Sequence, residues 1–161
     1  MPSKEDYLAQ LQANRLALLQ TIDNLPEAAL RLPNAVGAWS VTEVLAYLTA
    51  WDGERLRRAA FAGRESARPP HDVTDQAYWR AWVEGQIKIK QVMAPRGIKV
   101  DLAGTWIRLL AALEALEPAE FARWLDLDQP GPAGPEAELA EQLRAWRGRW
   151  ERSLPWWRRW W

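Results

Sequence analysis

The chain contains no cysteine and a single histidine, His71, among its 161 residues. Disulfide bonds and thiolate metal ligands are therefore excluded, and one imidazole does not build a protein metal site by itself. The sequence also lacks any run near the roughly 20 apolar residues that a membrane span requires. Its first residues are polar and helix-starting, unlike a secretory leader. From these features we expect a cytoplasmic protein with no stable membrane insertion, no metal and no cofactor.

The charge has no overall sign, because 21 Lys and Arg residues offset 21 Asp and Glu residues. Nucleic-acid-binding chains ordinarily carry a basic surplus, so we predict no nucleic acid partner. What the sequence has in excess is tryptophan, with 12 residues against three tyrosines and two phenylalanines. Such large side chains are usually sparing in cores, so this bias indicates either aromatic packing or an aromatic binding surface.

The hydrophobic spacing predicts helices along the whole chain. Ser3 and Asp6 resemble a capping box at the start of a first helix, predicted over 4–24. Ser40-Val41-Thr42-Glu43 is a full capping box, and the second helix runs from it to about 62, with Gly63 as its C-cap. No segment alternates with period two for long enough to predict a strand.

The spacing predicts three more helices, over about 74–92, from near Val100 and Asp101, and from near Glu136. Residues 94–97 are interpreted as a break, and 118–124 as a short turn. The last helix carries one apolar seam that Pro155 should bend or restart: Leu139, Leu143, Trp146, Trp150, Leu154, Trp157 and Trp161. The sequence thus predicts a single all-α domain over 1–161, with four principal helices and a fifth in the long crossover.

The segment Ala38-Trp39-Ser40-Val41-Thr42-Glu43-Val44-Leu45-Ala46-Tyr47-Leu48-Thr49-Ala50-Trp51 resembles the second-helix signature of the DinB-like superfamily. It is most similar to the branch that includes the ClbS/DfsB proteins. The helix end Asn24-Leu25-Pro26 and the run Arg149-Trp150-Glu151-Arg152-Ser153-Leu154-Pro155-Trp156 fit the same branch. The resemblance implies a DinB-like four-helix bundle with an additional crossover helix.

The resemblance also implies where a metal would lie. Family members commonly bind a divalent metal through one histidine on the second helix and a pair four residues apart on the last. The matching positions here are Tyr47, Arg149 and Ser153. Arg149 stays cationic and Ser153 is a poor ligand, so the resemblance implies a metal-free pocket.

Members of the ClbS-type branch are associated with protection against a reactive, DNA-damaging metabolite, by opening a cyclopropane ring. The resemblance therefore implies a small apolar or electrophilic molecule as the partner, bound or detoxified in a pocket between the second and last helices. If the chain is an enzyme, the expected activity is hydrolase-like and independent of metal.

Tyr47 is the candidate catalytic residue, as an acid or hydrogen-bond donor at the mouth of this pocket. Packing in the core is its alternative role. Aromatic walls suit a flat apolar ligand, although core packing explains the same helical spacing. The predicted ligand-binding residues are Trp51, Trp79, Trp82, Trp106, Trp146, Arg149, Trp150 and Ser153.

Two other segments have open interpretations. His71, beside Asp72, is either a solvated loop residue or a general base. The tail Trp156-Trp157-Arg158-Arg159-Trp160-Trp161 continues the last helix, forms a partner surface or anchors the chain at a membrane surface, and helix continuation is favoured. The competing function class is a non-enzymatic helical scaffold, natural or engineered, or a homodimerising interaction module.

Overall fold

The computed structural model describes residues 3–63, 75–128 and 134–155, and these residues are all-helical apart from their connections. Over these ranges no strand is present, which confirms the predicted all-α class. None of the described helices is both long and apolar enough to cross a membrane. The helices are α1 (Lys4–Ile22), α2 (Glu27–Leu30), α3 (Val41–Ala62), α4 (Gln76–Lys90), α5 (Pro95–Ala115), α6 (Pro118–Leu127) and α7 (Glu136–Ser153).

The capping residues predicted for the first two long helices are confirmed. The Ser3 hydroxyl accepts the Asp6 N–H at 3.0 Å at the start of α1. At the start of α3, the Ser40 hydroxyl accepts the Glu43 N–H at 3.2 Å, and Glu43 accepts the Ser40 N–H at 2.7 Å. Each bond satisfies a backbone donor that has no partner inside its helix, which is why these local signals located the helix starts.

Two predictions about helix bounds were wrong, and one short helix was missed. The helix predicted from near Val100 is α5, and it begins at Pro95, because a proline at the first helical position loses only an N–H that would be unpaired anyway. The predicted turn at 118–124 is the ten-residue helix α6, which also begins with a proline, Pro118. The short helix α2 was not predicted.

α3 is the central helix, since it contacts α4, α5 and α6, while α1 packs on α7. The apolar core forms two clusters. The first apolar cluster includes Leu18, Leu45, Trp79, Ile98 and Leu143, and the second includes Leu8, Leu11, Leu109, Leu113 and Trp124.

Buried polar residues separate the two apolar clusters along the helices. On α1, Arg15 lies between Leu11 of the second cluster and Leu18 of the first. On α3, Asp52 and Arg55 lie between Trp51, the last residue of that helix in the first cluster, and Ala59, its first buried residue in the second. Because a buried charge without a partner is costly, this layer requires internal pairing.

Candidate functional site

Arg15 joins three helices through two carboxylates. Its Nη1 and Nη2 donate to Asp52 at 2.8 and 3.0 Å. Its Nε and Nη2 donate to Glu136, at the start of α7, at 2.8 Å each. The Trp106 ring of α5 covers the guanidinium, with 4.1 Å from the guanidinium carbon to the ring centroid. This fork geometry is the one in which arginine binds carboxylates most strongly.

Arg55 makes the corresponding arrangement beside it. Its Nε and Nη2 donate to Asp128 at 2.8 and 2.7 Å. The Tyr7 hydroxyl donates to Asp128 and accepts a hydrogen bond from Arg55 Nη2 at 3.2 Å. Arg55 Nη1 lies 3.9 Å from Glu136 Oε1, which is an ion-pair distance but too long for a hydrogen bond. Glu136 therefore links the two arginines, and we call Tyr7, Arg15, Asp52, Arg55, Asp128 and Glu136 the charged layer.

The charged layer carries one carboxylate more than it has guanidinium groups, with Asp52, Asp128 and Glu136 facing Arg15 and Arg55. Burial raises the pKa of Asp52 above its ordinary value, against the pull of Arg15, and the nearby Glu136 adds to the rise. Burial, together with Asp128, also raises the pKa of the Tyr7 hydroxyl, which therefore remains a hydrogen-bond donor.

The raised pKa of Asp52 predicts a pH dependence of stability. A carboxyl that binds its proton more tightly in the folded chain stabilises the fold fully below its unfolded pKa, near 3.8, and loses that contribution as pH rises through its folded pKa. We therefore expect the free energy of unfolding of the wild type, relative to Asp52→Asn, to fall as pH rises above 3.8. Urea unfolding of both proteins across this range measures it. If the free energy of unfolding of the wild type, relative to Asp52→Asn, instead rose with pH, this would contradict the surplus of negative charge in the charged layer.

A second ion-pair group lies on α3, on the C-terminal side of Asp52. Glu54 accepts from Arg58 Nε at 2.9 Å and from Arg57 Nη2 at 2.6 Å. Arg58 is fully buried, and its guanidinium lies over the Trp51 and Trp79 rings at 4.9 and 5.2 Å. Its Nη1 donates to the Leu127 carbonyl at 2.6 Å, so this group ties α3 to the end of α6.

A cavity of about 180 Å³ borders the charged layer between α1, α3 and the first turn of α7. An apolar cavity of about 150 Å³ is sufficient to bind benzene, so this volume suits a ring-sized molecule. The Tyr47 and Trp51 rings are roughly parallel, with 6.4 Å between centroids, and both line the cavity. The other lining residues are Tyr7, Leu11, Asn14, Leu48, Arg55, Asp128, Gly134, Pro135 and Glu136.

Of the predicted site residues, the structure brings Tyr47 and Trp51 to this cavity. Arg149 is exposed on α7, and Ser153 is exposed and donates to the Trp150 carbonyl at 2.6 Å, so neither lines it. The cavity thus borders the beginning of α7 rather than the segment around 149–153.

The other predicted tryptophans lie elsewhere in the core. Trp79 and Trp146 are buried in the first apolar cluster, and Trp82 and Trp150 pack partly buried against it. Trp106 contacts Arg15 from outside the cavity. α7 ends at Ser153, before Pro155. His71 and the tail 156–161, including Trp157 and Trp161, lie outside the described residues.

The charged layer was missed by the sequence analysis, although two of its members left a signal. Arg15 stands four residues after Leu11 and three before Leu18, and thus on the inward stripe of its helix. Asp52 similarly stands four residues after Leu48 on the inward face of α3. A charge inside an apolar stripe predicts a buried partner, but the stripe does not say which residue that partner is.

No family model matches the chain, and neither a curated protein nor a solved structure matches it. In the described ranges, no three His, Asp or Glu side chains are grouped so that they could hold a metal ion. Fold and site therefore define a class rather than a family: an all-helical protein with a ring-sized cavity beside a buried ion-pair layer.

Proposed function

We propose that this chain is a metal-independent small-molecule binding protein, and that the cavity between α1, α3 and α7 is its binding site. The observation that carries the proposal is the joint lining of this cavity by aromatic rings and ionised side chains. Binding sites for small molecules are typically concave and mostly apolar, with a few polar groups that orient the ligand.

Different residues of the cavity supply the apolar contacts and the orienting polar groups. Leu11, Leu48 and the Tyr47 and Trp51 rings supply apolar contact area. Arg55, Asp128 and Glu136 supply polar anchors that their own ion pairs hold in place before any ligand arrives. Such preorganisation reduces the entropy that binding costs.

The finer assignment, to a DinB-like bundle of the ClbS/DfsB type, belongs to the same proposal. Its support is the motif around Tyr47, which lies on the central helix and lines the cavity. On this assignment the bound molecule is a small electrophile, and a hydrolase-like reaction would use the Tyr47 hydroxyl as hydrogen-bond donor.

The substitution Asn14→Phe tests the site, because Asn14 lines the cavity from α1 without belonging to the charged layer. Benzyl alcohol at ten times its dissociation constant should stabilise the wild type by about 1.4 kcal/mol, or about 4 °C in melting temperature. We expect Asn14→Phe to remove most of this shift, because the ring occupies ligand space.

The control is Ala13→Phe, which adds the same ring at an exposed neighbouring position of α1 that does not line the cavity. It should keep the full shift. An equal loss of the melting-temperature shift in both variants would refute the proposed site. So would the absence of a shift in the wild type with benzyl alcohol and with its cationic and anionic analogues.

A further inference from the structure

We propose that the ligand of this cavity is a small organic cation, with an ammonium or amidinium group on a ring-sized apolar body. This inference rests on the proposed binding function and specifies its ligand class. Three features of the site support it: its charge balance, the remaining acceptor capacity of Glu136, and the aromatic wall.

The charge balance at the cavity surface is negative. Among the described residues that line it, Asp128 and Glu136 are accompanied by one cation, Arg55, and behind them Arg15 is shared between Glu136 and Asp52. A buried surplus charge is unfavourable, and a cationic ligand compensates it, whereas an anion increases it. The opposite surplus in the Glu54 group belongs to Arg57, whose side chain is 31% exposed and therefore screened by solvent.

Glu136 keeps acceptor capacity for such a ligand. A carboxylate has about four lone-pair sites, and Glu136 accepts two hydrogen bonds, both from Arg15. Its side chain is 12% exposed, against 1% for Asp52, which places it at the accessible edge of the charged layer. The 3.9 Å distance from Arg55 Nη1 leaves the Glu136 Oε1 atom without a hydrogen bond from that arginine.

The aromatic wall favours the same ligand class. Cations are attracted to the faces of tryptophan and tyrosine within about 6 Å of the ring centroid. The fold already uses this contact at Trp106, which receives Arg15, and at Trp51, which receives Arg58, so the charged group of the ligand belongs beside Glu136 and its apolar body beside the rings. An ammonium held near Glu136 would share the cavity with the Tyr47 and Trp51 rings, while its apolar body would contact Leu11 and Leu48.

Three probes of nearly equal shape and different charge test the inference: benzylamine, benzyl alcohol and benzoate, which at neutral pH are cationic, neutral and anionic. Their dissociation constants are measured by calorimetry on the full chain. We expect benzylamine to bind about tenfold more tightly than benzyl alcohol, and benzoate to bind most weakly.

Two variants locate the cause. Asp52→Asn leaves every cavity-lining residue in place and makes the charged layer neutral, so it should abolish the tenfold preference while benzyl alcohol still binds. Glu136→Gln removes the same charge from the lining itself and should have the same effect. Glu141→Gln, an equal charge change at an exposed position of α7, should keep the preference.

The outcomes separate the two proposals. Equal binding of benzylamine and benzyl alcohol, or tighter binding of benzoate, would overturn the cation inference and leave the binding site standing. A preference that survives both Asp52→Asn and Glu136→Gln would overturn it as well. Binding of none of the three probes would overturn the inference together with the proposed function.

Discussion

Replacement of Arg15 by methionine is expected to lower the free energy of unfolding by about 3–5 kcal/mol. Arg15 is 2% exposed and donates four hydrogen bonds to Asp52 and Glu136. Methionine preserves much of the apolar stem against Trp106 but leaves three carboxylates with Arg55 as the only guanidinium in the charged layer. Urea unfolding followed by circular dichroism measures the loss.

Asp52→Asn is the matched variant, and it should cost clearly less than Arg15→Met. Arg15 then keeps Glu136, and the layer reaches charge balance instead of a larger surplus. The double variant Arg15→Met, Asp52→Asn should be more stable than Arg15→Met alone, because one of the uncompensated charges is gone. Equal losses for the two single variants would contradict the surplus of carboxylates described above.

Truncation of Trp124 to alanine should produce a loss of similar size, about 3–5 kcal/mol. Trp124 is fully buried in the second apolar cluster, with its ring 5.6 Å from Tyr7 and 5.7 Å from Phe121. Its Nε1 donates to the Arg55 carbonyl at 3.3 Å, so the variant also removes a bond between α6 and α3. Chemical denaturation measures this loss too.

Trp82→Ala is the control for Trp124→Ala, because Trp82 is a partly buried tryptophan against the first apolar cluster. Trp82→Ala should lower the free energy of unfolding by less, since the Trp82 ring buries less apolar surface than the Trp124 ring does. Trp124→Ala should also weaken benzylamine binding, because the Tyr7 ring that packs on Trp124 positions the hydroxyl beside Asp128. A stability loss no larger than that of Trp82→Ala would contradict the contribution that the buried Trp124 ring makes to the second apolar cluster.

Local signals explain where sequence reasoning succeeded and where it failed. The start of α3 was predictable because a capping box lies within four consecutive residues, Ser40 to Glu43. The start of α5 was mispredicted because Pro95 and Gly97 indicate a break in most contexts, whereas a proline at the first helical position is compatible with a helix. Which context applies depends on the packing of Ile98 and Leu102 into the first cluster.

The candidate site was predictable only in its aromatic half. Tyr47 and Trp51 lie four residues apart on one helix, so their shared face follows from helical geometry. The polar half joins residues far apart in the chain: Arg15 and Glu136 are separated by 121 positions, and so are Tyr7 and Asp128. No periodicity relates such pairs, because their contact depends on how α1 packs on α7 and on where α6 ends.

The amino-acid sequence by itself thus determined the helical class, the starts of the capped helices α1 and α3 and the inward apolar stripes, because capping and periodicity act over one or two turns. The tertiary structure alone decided that Arg15 shares two carboxylates and that the cavity opens at the first turn of α7 instead of beside Arg149. The physical reason is that a buried charge must find its partner across helices, and that choice belongs to the packing of the whole chain.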